Sequence, residues 1–114
     1  MTSSREEVIR RAHDEVEPVV PRDDEPVVLK ARYSAFDHTS LELLLRELAA
    51  ERLLLAGGAT EACVVQTGID ARELGFKVTI LTSACWTVDE ETERVALRYA
   101  EDVAGIRLAE SVPV

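Results

Sequence analysis

Four short apolar runs, Val27–Leu29, Leu53–Ala56, Val78–Leu81 and Ile106–Leu108, constrain this chain more than any other feature. Each is too brief and too uniformly apolar to be a strand wet on one face, and each suits a strand covered on both. Parallel sheets are built from such strands, and helical patterns fall between the runs. Leu41, Leu44, Leu45 and Leu48 repeat at helical spacing, and Thr39 with Glu42 has the S/T-x-x-E form of a capping box. A second helix is predicted from about Thr60, burying Cys63, Val64, Thr67, Ala71 and Leu74 and stopping at Gly75. A third runs from Asp89, a good N-cap, through Val95, Leu97 and Val103 to Gly105. The order β-α-β-α-β-α-β predicts right-handed crossovers and an α/β fold, a three-layer α/β/α arrangement around a Rossmann-like parallel sheet.

Residues 1–25 depart from that pattern. Val8 or Ile9, Ala12 and Val16 have weak helical spacing, and Pro18, Pro21 and Pro26 then interrupt the chain around the acidic stretch Asp23 to Glu25. The expected organisation is a surface helix and linker over 1–25 and one α/β domain over 26–114, since 114 residues with 46% hydrophobic content suffice for a single core. The start, MTSSREEVIRR, is charged where a signal peptide needs an apolar run, and the longest apolar stretch, Leu53 to Ala59, is too short to cross a bilayer. A cytoplasmic protein without a membrane partner is expected.

The formal charge is −9, from 22 acidic and 13 basic residues, which argues for a solvated surface and against nucleic acid as a partner. The two cysteines have neither CxxC nor Cys/His spacing, so free thiols are expected rather than a bridge or a structural zinc. His13 and His38 match no metal motif, and no cofactor is expected.

One stretch points to chemistry. In LAGGATEACVVQTG, residues 55–68, a strand runs into a Gly-Gly turn, a threonine and then Cys63. Ligands of open parallel sheets bind beyond the carboxyl ends of the strands, where a loop becomes a helix. With Thr60 as N-cap, Cys63 is the third helical residue, where unpaired N–H groups and the positive end of the helix dipole favour a thiolate and could also hold an oxyanion. The competing reading is a core cysteine, since a cysteine in a helix facing a sheet is commonly buried packing. Lys30, at the end of the first run, has its own alternative as a strand-end lysine reaching solvent.

The stretch from Val27 to Glu91 resembles the isochorismatase-like superfamily of cysteine hydrolases. The landmarks are a strand ending in Lys30, then Tyr33, Ser34 and Phe36, Thr39 opening a helix, then Gly57, Thr60, Cys63 and Val64, and finally Asp70-Ala71 and Gly75. The resemblance covers about residues 15–110 and rests on Lys-x-x-x-S-x-F combined with G-x-x-T-x-x-C-V. It implies an Asp–Lys–Cys site that hydrolyses a carbon–nitrogen bond of a small amide or ureido compound through a thioester. Cys63 matches the nucleophile and Lys30 the triad lysine. The oxyanion hole falls on the N–H groups of Ala59 and Cys63, with a cis peptide at Gly58-Ala59. Members that cleave the vinyl ether of isochorismate carry glycine in place of the cysteine, so Cys63 favours amide-type chemistry. Tyr33 and Phe36 are candidates to shape a substrate pocket or to pack in the core, Trp86 could wall the pocket or pack, and Cys85 is expected to be inert. The stretch TSACW departs from relatives that often have aspartate at the position of Ser83.

The family's first strand carries the triad aspartate in an Asp-x-Gln setting, and nothing like it precedes Lys30. Asp37, Asp70 and Asp89 do not occupy its position, and the metal-binding Asp/His cluster of nicotinamidase relatives has no counterpart. In the family's strand order the absent strands would lie between the one ending at Lys30 and the one ending at Gly57. The sequence is then a truncated or misassigned version of a longer protein, or its subunits intertwine, or its strands close into a smaller sheet, which would displace Lys30 from Cys63. A homo-oligomer acting on a small molecule is expected. The alternatives are an inactive binding or assembly module that keeps the scaffold without the base, and a redox-sensing thiol with Cys85 as resolving partner.

Overall fold

In a computed structural model, which describes residues 20–112, three strands form one parallel sheet. They are β1 (Arg52–Gly58), β2 (Lys77–Trp86) and β3 (Arg107–Ala109), hydrogen-bonded in that order. Helix α1 (Leu41–Glu47) precedes β1, α2 (Val65–Glu73) links β1 to β2, and α3 (Glu90–Asp102) links β2 to β3. The parallel α/β sheet expected from the apolar runs is present. The surface helix expected in residues 1–25 lies, up to residue 19, outside the described residues.

Both crossovers step the same way across the sheet, so their right-handedness puts α2 and α3 on one face. The two helices touch each other, and the core lies between them and the strands, with Ala71, Phe76, Ile80, Ala100 and Ile106 at its centre. Gly68 lets α2 close onto the sheet, because a Cβ there would lie 2.9 Å from Ile106 Cδ1. Of the three layers expected, the described residues contain the sheet and one helical layer. On the other face Leu54 stays 44% exposed. The expectation of strands covered on both sides is therefore corrected for β1, whose residues alternate between exposed and half-buried. As the edge strand, β1 has a ladder on one side only.

Several local expectations also change. Val27–Leu29 forms no strand, and residues 26–30 are irregular and pair with neither free edge of the described sheet. The capping box at Thr39 does not form: Ser40 is the N-cap of α1 without a side-chain bond, while Thr39 Oγ1 donates to Ala35 O and accepts from Leu41 N at 3.2 Å. In α3 the N-cap is Asp89 as expected, accepting from Thr92 N at 3.0 Å, but Val95 and Val103 are exposed and Ala100 is the buried contact. Gly75 and Gly105 take the positive φ expected after a last helical turn, +96° and +71°. The TSACW stretch continues β2 through a register irregularity, in which Leu55 pairs with Ile80 and Gly57 with Cys85.

Candidate active site

Strand β1 delivers the chain to Gly58 at its carboxyl end, and the Gly58-Ala59 peptide is cis. The helix that follows does not start as an α-helix. Residues Thr60–Val64 form a π-turn with Ala59 as N-cap, which corrects the assignment of the cap to Thr60. The Ala59 carbonyl accepts from Ala62 N at 3.1 Å and from Val64 N at 3.3 Å, passing over the Cys63 N–H between them. Such wide turns concentrate at functional sites, since they leave backbone groups free of the regular ladder. Thr60 is fully buried and its Oγ1 donates to Trp86 O at 3.0 Å, tying the turn to the end of β2.

Cys63 is half-buried, while its neighbour Val64 belongs to the core. Lys30 Nζ lies 3.7 Å from Cys63 Sγ and also donates to Arg32 O. The displacement expected on closing into a smaller sheet does not occur. The segment that carries Lys30 is held by side chains instead of a ladder. Ala35 N donates to Thr67 Oγ1 of α2 at 2.9 Å, Ser34 is buried with its Oγ accepting from Phe36 N, and the Phe36 ring stacks on Phe76 at 6.2 Å between centroids. Phe76 also meets Arg46, whose Cζ sits over the ring 4.4 Å from its centre.

Lys30, Ala31, Arg32, Tyr33 and Cys63 line an open depression of about 540 Å³. The structure thus brings Lys30, Tyr33 and Cys63 together. Phe36 packs against the core beneath this segment, outside the lining. Trp86 is 59% exposed and lies over Gly58, where a Cβ would meet the indole at 2.0 Å, so glycine is required for that approach. It too stands outside the depression lined by Cys63.

The carboxylates near the site have other duties. Asp37 Oδ1 is 2.7 Å from His38 Nδ1, and Arg32 Nη1 is 3.4 Å from Asp37 Oδ2 and 3.0 Å from His38 Nδ1. The His38 hydrogen bond, with the Arg32 charge, holds the Asp37 carboxyl below its ordinary range. Asp89 is spent on capping α3. Among the described residues no carboxylate hydrogen-bonds the Cys63 sulfur. Nor do three His, Cys, Asp or Glu side chains come together there to hold a metal ion. Cys85 donates to Leu81 O at 3.3 Å, and burial pushes its thiol above the ordinary range.

Sequence reasoning missed Glu61. Its Oε2 accepts from Thr87 Oγ1 at 2.8 Å, Val88 N at 3.1 Å and Asp89 N at 3.2 Å, clamping the loop after β2 onto the turn that presents Cys63. Its own backbone N–H, with those three donors, holds the carboxyl below its ordinary range. No spacing rule announces the contact, because it joins residues 26 to 28 positions apart.

The family model of the isochorismatase domain matches residues 7–110. An isochorismatase family protein of Bacillus subtilis is 40% identical over 81 residues, covering 71% of this chain and 44% of the relative. The nicotinamidase of Escherichia coli is 36% identical over 75 residues, covering 60% of this chain and 35% of the relative. Maleamate amidohydrolase of Pseudomonas putida is 38% identical over 69 residues, covering 60% and 32%. The crystal structure of nicotinamidase/pyrazinamidase from Bacillus subtilis superposes with a TM-score of 0.74 at 32% identity, covering 95% of this chain and 56% of that one. The chain spans about half, or less, of the length of the curated relatives it matches.

Proposed function

The chain belongs to the isochorismatase family, and on that premise we propose that Cys63 is the nucleophile of a hydrolase cleaving a carbon–nitrogen bond in a small amide or ureido compound. The observation that carries this reading is the 3.7 Å approach of Lys30 Nζ to Cys63 Sγ at the wall of an open depression. An ammonium is the partner a thiolate needs, and the depression admits a small molecule to the sulfur. The names of two relatives, nicotinamidase and maleamate amidohydrolase, support the amide class.

In this reading the thiolate attacks the carbonyl carbon, a carbon–sulfur bond forms, and the carbonyl electron pair moves onto oxygen. The N–H groups of Ala59 and Cys63 receive that charge, and the π-turn supports the role by leaving the Cys63 N–H out of the set bound to the Ala59 carbonyl. Collapse breaks the carbon–nitrogen bond, and the nitrogen leaves with the proton the thiol gave up. Water then adds to the thioester, releasing the acid and restoring the thiol. Tyr33 borders the substrate, while Phe36 acts from below as the support of the Lys30 segment. Trp86, over Gly58, lies outside the lining and takes no part in this reading.

A second reading, an inactive binding module on the same scaffold, is favoured by one observation: no carboxylate among the described residues reaches Sγ to act as a base. Alkylation with iodoacetamide at pH 6, followed by peptide mapping and an assay against a panel of small amides, separates the two. Cys63 is expected to react about tenfold or more faster than Cys85, whose raised thiol delays its reaction to higher pH. Equal, slow rates would overturn the nucleophile, and fast alkylation without turnover would select the binding module.

A further inference from the structure

Cys63 follows the carboxyl end of β1. At the opposite, amino ends of the strands lies a second cavity of about 560 Å³, floored in part by Leu54 and Val112 and ringed by Arg52, Arg72, Lys77 and Arg107. The chain has 22 acidic against 13 basic residues, so partners for these cations are plentiful. Arg22, Arg32, Arg46, Arg94 and Arg98 each form an ion pair with a carboxylate. The four around the cavity form none among the described residues.

Their arrangement gathers like charges at one end of the sheet. Arg52 and Lys77 are register partners on β1 and β2, which sets like charges side by side. Arg107 pairs with Thr79, two residues along β2 from Lys77, so all three project from the face that carries Leu54. Arg72 arrives from the last turn of α2 and is fixed in place: its Nε donates to Ala104 O at 3.2 Å and its Nη1 to Phe76 O at 3.3 Å. Its Nη2 lies against Gly105, where a Cβ would come within 3.1 Å. An anion placed among these groups would relieve the repulsion and gain charge-assisted hydrogen bonds from guanidinium forks suited to phosphate and carboxylate.

We propose that this cavity binds a small organic anion carrying two or more negative charges, of the phosphate-ester or polycarboxylate kind, with its body resting on Leu54 and Val112. Calorimetric titration of the full chain at low salt with pyrophosphate and, separately, with citrate tests it. Saturable binding of one equivalent of at least one of them is expected, weakening as salt is added. The stronger of the two identifies phosphate or carboxylate as the favoured head group. The triple variant Arg52→Gln/Lys77→Gln/Arg107→Gln should bind about tenfold or more weaker, while Arg52→Lys/Arg107→Lys stays within about threefold, because it keeps the charge. Lys30→Gln, at the other end of the sheet, should bind like the parent chain. If the triple variant loses its circular dichroism, Arg107→Gln alone carries the comparison, with about a fivefold loss expected. Absence of saturable binding, unchanged affinity in the Gln variants, or a loss caused by Lys30→Gln would each overturn the site.

Discussion

Cys63 and Lys30 meet across 3.7 Å from segments of very different construction. On the Cys63 side, β1, the π-turn and α2 follow one another closely, and the hydrogen bonds of strand and helix run through the stretch from Arg52 to Glu73. On the Lys30 side, residues 26–40 contribute to no ladder and are located by a few anchors: the Ala35 N–H on Thr67, buried Ser34, and Phe36 against Phe76. A thiol can thus be placed by regular secondary structure while the ammonium beside it is placed by tertiary contacts. The two should respond differently to the same kind of damage.

The largest effect is expected where both sides share support. Phe76 is 1% exposed and meets both the Phe36 ring and the Arg46 guanidinium, so Phe76→Ala should cost about 3–5 kcal/mol in chemical denaturation. A cost no larger than that of a surface substitution would mean that the Lys30 segment does not rest on the core. Thr67→Val sharpens the contrast. It strips the Ala35 N–H of its acceptor at a buried position, costs about 1–2 kcal/mol, and should raise amide exchange at Ala35 while leaving exchange in α2 near its original rate. Slower alkylation of Cys63 in this variant would accompany the loosening of Lys30, and an unchanged Ala35 amide would show that other contacts hold the segment.

The smallest effect concerns the clamp on the Cys63 side. Glu61 and Asp89 both have carboxyls held below their ordinary range, Glu61 by its own N–H and the loop donors, Asp89 by Thr92. A folded value below the unfolded one means that the stabilisation is complete above the unfolded range and is lost as pH falls through the lowered value. Urea midpoints between about pH 5 and pH 2 should therefore fall less steeply in Glu61→Gln and Asp89→Asn than in the parent chain. Parallel curves would remove the clamp from the account.

Legibility in the sequence follows the same division. The turn at Gly57-Gly58, the position of Cys63 just after the carboxyl end of β1, the cap at Asp89 and the helix stops at Gly75 and Gly105 are each written in a few consecutive residues, and each is found where local chemistry put it. The cis peptide at Gly58-Ala59 and the match of Lys30 came from the family resemblance rather than from spacing. Val27–Leu29 misled because an apolar run reports burial and not pairing, and a strand needs a neighbour that the run itself does not encode. Val95 and Val103 misled because helical spacing names a face without saying whether another layer covers it.

By itself the sequence determined the alternation of strand and helix, the direction of the crossovers and the position of a thiol at the carboxyl end of β1. These depend on periods of two and of about 3.6 residues and on glycine and aspartate at turns, all short-range properties of a chain. Tertiary structure alone decided that the turn before α2 opens to the π form, that Glu61 clamps the loop after β2, that Lys30 reaches the sulfur without a strand to carry it, and that four cations without an ion pair among the described residues gather at the far end of the sheet. Each of those joins residues distant in sequence, and such contacts come into being only when the chain closes on itself.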